Sequence, residues 1–97
     1  MATLFFTVWR TAEEVALGDP LQESTIDIAA TTTQGAVITG INRQRNRVRV
    51  MADANCFVTW GEDPTATDDG LSGRPMGSEN PEYFDIEAGH KIAVITR

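Results

Sequence analysis

R-V-R-V-M-A-D-A-N-C-F-V-T-W-G, residues Arg47 to Gly61, is the stretch whose reading decides the fold. Side chains alternate in character on both sides of a short polar break, the pattern of two strands joined by a tight turn. With Asp53, Ala54 and Asn55 as a three-residue loop, Ala52 faces Cys56, Val50 faces Val58 and Val48 faces Trp60 on one side of a β-hairpin. Arg47, Arg49, Met51, Phe57 and Thr59 take the other side. A one-residue slip would turn every side chain to the opposite face. Asn55 tolerates the positive φ that closes such a loop. The expectation is a hairpin at the centre of an all-β domain.

Outward from it, Thr3 to Arg10 reads as a strand from its aromatic and β-branched content. Leu4, Phe6 and Val8 share one face; Phe5, Thr7 and Trp9 share the other. Both faces are largely apolar, which predicts a central or covered strand. Thr11 to Leu17 has capping-box spacing and a Gly18-Asp19-Pro20 stop, so it reads as one helical turn or an irregular arm. Ser24 to Ala30 alternates, with Ile26, Ile28 and Ala30 inward. A turn over Thr31–Gly35 precedes a strand at Ala36–Ile41, with Gly40 as a candidate bulge.

Residues 62–81 lose the pattern and hold three prolines, a long surface loop with Leu71 and Met76 as anchors. Tyr83 to Thr96 alternates again, with Ala88-Gly89-His90 as the turn of a second hairpin. That hairpin sets Glu87 against Lys91, Ile86 against Ile92 and Phe84 against Val94. Six or seven short strands predict one antiparallel all-β domain over residues 1–97, a β-sandwich or small barrel.

The chain of 97 residues fits one domain, and a chain of this size buries roughly 60–65% of its extended surface. A net charge of −6 and a pI near 4.5 argue against general affinity for nucleic acid or anionic membrane, both polyanions. No window is long and apolar enough for a membrane span or signal segment, so a soluble, cytoplasmically made chain is expected. Cys56 has no partner for a disulfide and reads as a core thiol.

The inventory for catalysis is thin. His90 is the one histidine and sits in a turn, and no nucleophile-elbow, zinc-protease or phosphate-cradling motif occurs. Neither catalytic residues nor a cofactor are expected. Glu62, Asp63, Asp68 and Asp69 share a loop, but their spacing fits no EF-hand, so no metal is expected either.

Charge is patterned more sharply. Arg43, Arg45, Arg47 and Arg49 are four of the eight basic residues, all at odd positions. On a strand they form a stripe with steps of about 6.7 Å. Residues 53–87 carry nine acids against Arg74 alone. The stripe reads either as a solvated edge or as a docking strip for an acidic neighbour, since arginine binds carboxylates bidentately. No aromatic platform interleaves with it, which disfavours nucleic acid. Phe5 and Trp9 join the four arginines as candidate partner-binding residues.

Two segments carry a resemblance. R-V-R-V-M-A-D-A-N-C-F-V-T-W-G-E-D-P-T-A-T (47–67) and P-E-Y-F-D-I-E-A-G-H-K-I-A-V-I (81–95), together 36 of the 97 residues, resemble the small all-β capsid-associated proteins of tailed bacteriophages. In those chains a V-R-V-x-A-x-A-x-C strand leads into a P-T-A-T loop, and P-E-Y-F with K-I-A-V-I closes the protein. The resemblance implies a jelly-roll cement, or decoration, protein: a non-enzymatic virion component on the capsid surface that binds the major capsid protein and braces the shell. Its motif residues belong to strands and turns, so it bears on fold more than on role. Related proteins also occur at the head–tail neck and in fibres. Homo-oligomerisation, as a dimer, is expected as the commonest arrangement. A small carbohydrate- or ligand-binding sandwich with Trp60, Tyr83 or Trp9 as platform is the alternative.

Overall fold

The computed structural model describes residues 2–10, 22–38, 45–67 and 73–97, with Arg10 and Arg45 as backbone only. Eight strands lie among them: β1 (Ala2–Arg10), β2 (Gln22–Ile28), β3 (Thr33–Gln34), β4 (Arg45–Ala52), β5 (Cys56–Gly61), β6 (Arg74–Met76), β7 (Glu82–Glu87) and β8 (Lys91–Thr96). They form two antiparallel four-stranded sheets, ordered β2-β1-β4-β7 and β3-β8-β5-β6. The sheets pack face to face as a β-sandwich. No helix among the described residues is long and apolar enough to cross a membrane.

The alternation expected in β4 and β5 is present, but the hairpin is not. Val48, Val50 and Ala52 are buried, as are Cys56 and Val58. Yet β4 pairs with β1 and β7, whereas β5 pairs with β8 and β6. Residues 53–55 carry the chain across the sandwich from one sheet to the other. The inward rows meet across the core, about 10 Å between sheets, instead of lying side by side. Both edges of β4 are taken by other strands, so β5 has no edge to join. Asn55 does not adopt positive φ. Its side chain instead accepts the Ser78 N–H at 2.8 Å.

The second hairpin is corrected in the same way. β7 lies in the first sheet and β8 in the second, so Phe84 and Ile86 oppose Ile92 and Val94 across the core. Gly89 makes that sharp passage at φ +94, a left-handed conformation that favours glycine. Glu87 is joined by the His90 ring at 3.6 Å and is in register with Arg45, so the expected pairing with Lys91 across a hairpin does not arise.

β1 is central, as its two apolar faces imply, with β2 on one side and β4 on the other. Leu4, Phe6 and Val8 are almost wholly buried. β2 begins and ends earlier than its pattern: Ile26 and Ile28 point inward, but Ala30 is exposed past the end of the strand. Residues 36–38 form no strand. They run beside the end of β8 through Ile38 N–H to His90 O and Gly89 N–H to Ile38 O. Residues 11–17, where a helical turn was one option, and Gly40 lie outside the described residues.

The 62–81 excursion is less of a surface loop than its composition implies. β6 pairs with β5, and Met76 is fully buried, so one expected anchor is present. Leu71, the other, lies outside the described residues. Ala66 adds an anchor on the outer side of the second sheet, where it packs with Ala93, Ile95 and Phe57. This explains why β8 is apolar at four successive positions, since both its faces are covered.

The pairing is nested. β5 pairs with β6, β4 with β7, β3 with β8 and β2 with β1, and successive pairs alternate between the sheets. The chain from β2 to β8 is thus one long doubled ribbon rolled over the core. β1 closes it from the N-terminal side. Thr3 N–H donates to Asp53 Oδ1 at 2.7 Å and Arg97 N–H to Asn55 O at 3.2 Å, so both ends meet the same connection.

Candidate functional site

Strand parity turns the odd-numbered residues of β1, β2, β4 and β7 outward on the first sheet. Register then sorts them into rows. Thr25, Phe5 and Met51 form one row, followed by Glu23, Thr7, Arg49 and Tyr83, and then Trp9, Arg47 and Asp85. Four of the six candidate residues (Phe5, Trp9, Arg47 and Arg49) therefore share one flat face. Arg43 and the Arg45 side chain lie outside the described residues. Phe57 and Thr59, expected beside the arginines, are on the far side of the molecule because β5 is in the other sheet.

The face is both apolar and charged. Phe5 is 43% exposed and Tyr83 51%, large fractions for aromatic rings. A shallow depression of about 460 Å³ runs between Phe5, Thr7, Thr25, Arg49 and Met51, with Glu23 at its rim. Arg47 lies 3.5 Å from Asp85, a solvent-exposed pair that contributes little stability. Arg49 has no ion-pair partner among the described residues; its Nη2 rests 4.0 Å from Met51 Sδ. Glu23 has none either. Trp9 is half-buried, and its Nε1–H is sequestered with no acceptor among the described residues. Met51 and Glu23 join the face although neither is a candidate on sequence grounds, and Tyr83, a candidate platform for a ligand, lies beside Arg49. Alternation in β4 puts Met51 on the side of Arg49, but only pairing between strands brings Glu23 and Tyr83 there.

A second depression, of about 360 Å³ and mostly polar, opens at the β7 edge between Trp60, Gly61, Asp85, Glu87 and His90. Trp60, expected inward, is half-buried at the rim of the core, its ring 4.4 Å from that of Phe84 at 41°. Glu87 and His90 approach at 3.6 Å there. Glu62 and Asp63 are exposed, and Asp63 accepts a hydrogen bond from Gln34 at 2.8 Å. Asp68 and Asp69 lie outside the described residues. No group of three metal-ligating side chains occurs among those described.

Cys56 and His90 cannot act together. Cys56 is in register with Thr96, whereas His90 precedes Lys91 at the other end of β8, roughly 20 Å away by strand rise. Burial pushes the Cys56 thiol from 9.0 up to about 11, with Arg97 pulling it slightly down. At pH 8 its thiolate fraction is about a hundredfold below that of an ordinary thiol. Iodoacetamide is therefore expected to alkylate the native protein about a hundredfold more slowly than the denatured chain, checked by mass spectrometry. The folded thiol holds its proton more tightly than the unfolded one. Its contribution to stability is present below pH 9 and lost as pH rises from 9 to about 11.

No family model, curated protein or solved structure matches this chain.

Proposed function

We propose that the chain is a non-enzymatic structural virion protein, a capsid cement protein that binds the major capsid protein shell and stabilises it. The reading rests on the resemblance of residues 47–67 and 81–95. The observation that carries it further is the gathering of Phe5, Trp9, Arg47 and Arg49 on one flat sheet face with exposed Tyr83. A broad, shallow face of aromatic rings and arginines suits a protein partner, because such residues dominate binding energy at protein interfaces. The nested pairing of the strands matches a jelly roll whose last strand is supplied by β1.

The shell contact is assigned to the Arg45–Arg47 end of β4, where the stripe meets the edge strand β7. Arg45→Glu combined with Arg47→Glu is expected to lower co-sedimentation with empty capsids while stability changes by less than about 1 kcal/mol. Undiminished capsid occupancy at saturating shells would count against the stripe. Co-sedimentation with tails and not shells would move the protein to the neck or a fibre.

A second reading, a carbohydrate- or ligand-binding sandwich, has the Trp60 depression behind it, where an aromatic ring lies beside two carboxylates. A glycan array with Glu87→Gln as control separates the two.

A further inference from the structure

The outer face of the first sheet is patterned symmetrically about β1. In one row Glu23 on β2 and Arg49 on β4 flank Thr7 at equal distances, one strand spacing to either side. Neither has an ion-pair partner among the described residues. In the next row Thr25 and Met51 flank exposed Phe5. In the third, Trp9 lies beside Arg47.

A two-fold axis lying over β1, parallel to the strands, would exchange left and right in every row. Such an operation seats Glu23 on the second copy's Arg49 and Arg49 on its Glu23. It also brings Phe5 onto Phe5 and Met51 onto Thr25. One operation thus satisfies two opposite-charge pairs and buries the exposed aromatic ring. This is the self-complementarity that an isologous contact requires.

We infer that this face is a self-association surface, and that its occupant is a second copy of the chain related by a two-fold axis along β1. The row at Thr3 tests the geometry, because there Asp27 and Asp53 lie on both sides of β1. With parallel alignment these acids would oppose one another. Aligned sheets cross at about 30°, which swings a row four residues from the Thr7 centre sideways by roughly 7 Å. The acids then separate to the rim, while the rows at Phe5, Thr7 and Trp9 stay in contact. Arg47, in the Trp9 row, lies where this surface borders the shell contact proposed at the Arg45–Arg47 end of β4.

Four strands by seven residues give a face of roughly 19 by 23 Å, about 440 Å² per copy. That is small for a stable complex, so association in the micromolar range with rapid exchange is expected. The inference does not depend on the virion reading and is tested without capsids.

The experiment is sedimentation equilibrium on four purified chains: wild type, Glu23→Arg, Arg49→Glu and the double charge swap. Each single variant sets like charges against each other at both symmetry-related positions. Its dimer dissociation constant is expected to rise by about tenfold or more. The double swap restores opposite charges across the interface and is expected to return to within about threefold of wild type. All three changes are at the surface, and a melting curve for each variant confirms folding. A wild type that stays monomeric to millimolar concentration would overturn the inference. So would single variants that dimerise as well as wild type, or a double swap no better than the singles. A wild-type dimer that obeys the swap but ignores capsids would leave this surface in place and remove the cement reading.

Discussion

Deleting residues 2–10 is expected to leave a chain without a cooperative thermal transition, whereas moving the same nine residues to the other end is expected to leave the fold intact. β1 is hydrogen-bonded on both edges, and Leu4, Phe6 and Val8 are almost wholly buried from it. Each such side chain contributes about 1.5–3 kcal/mol by burial alone. A domain of this size has a total stability of about 5–15 kcal/mol, so losing the three together with both ladders exceeds what the rest can bear. Relocation is different because both chain ends meet the 53–55 connection. A chain that begins at Gln22 and joins Arg97 to Ala2 through about six linker residues, reaching roughly 20 Å, places β1 after β8. Its stability is expected within about 2 kcal/mol of wild type, since surface connections tolerate such changes. Urea unfolding followed by far-UV circular dichroism measures both chains. An unfolded permutant beside a folded parent would show that the ends do not meet as described.

The second large effect separates two neighbours on that strand. Phe6 is 1% exposed in the core, and Phe6→Ala is expected to cost about 3–5 kcal/mol through lost burial and the cavity left behind. For a domain of this size that lowers the melting temperature by roughly 15–30 °C. Phe5, one residue away, is 43% exposed on the outer face. Phe5→Ala is expected to change stability by less than about 1 kcal/mol, and to weaken self-association at the row it shares with Met51. Calorimetry and sedimentation on the two variants read both axes. Equal melting temperatures would contradict the parity of β1, and with it the placing of the candidate face.

Much of this molecule follows from alternation alone. Period-2 patterning marks Val48, Val50, Ala52, Cys56, Val58, Phe84, Ile86, Ile92 and Val94 as one apolar side, and each is buried, while Trp60 on that side is half-buried. It also sets Arg47 and Arg49 opposite the apolar side of β4 and groups Leu4, Phe6 and Val8 against Phe5, Thr7 and Trp9 in β1, but only packing shows that the first of those two groups is the buried one. What alternation cannot express is which strand lies at each edge. A hairpin and a crossing between sheets bury the same residues, because an inward side chain meets apolar neighbours either way. Residues 53–55 and 88–90 therefore read as hairpin turns, and tertiary structure makes both of them passages across the core. The choice was settled by competition for edges: β1 and β7 occupy those of β4, and β6 and β8 those of β5. The candidate face has the same history. Local sequence put Arg49 opposite the apolar side of β4 and Phe5 opposite Leu4, Phe6 and Val8. Only pairing between strands distant in the chain brought them into adjacent rows on one sheet and sent Phe57 to the other side.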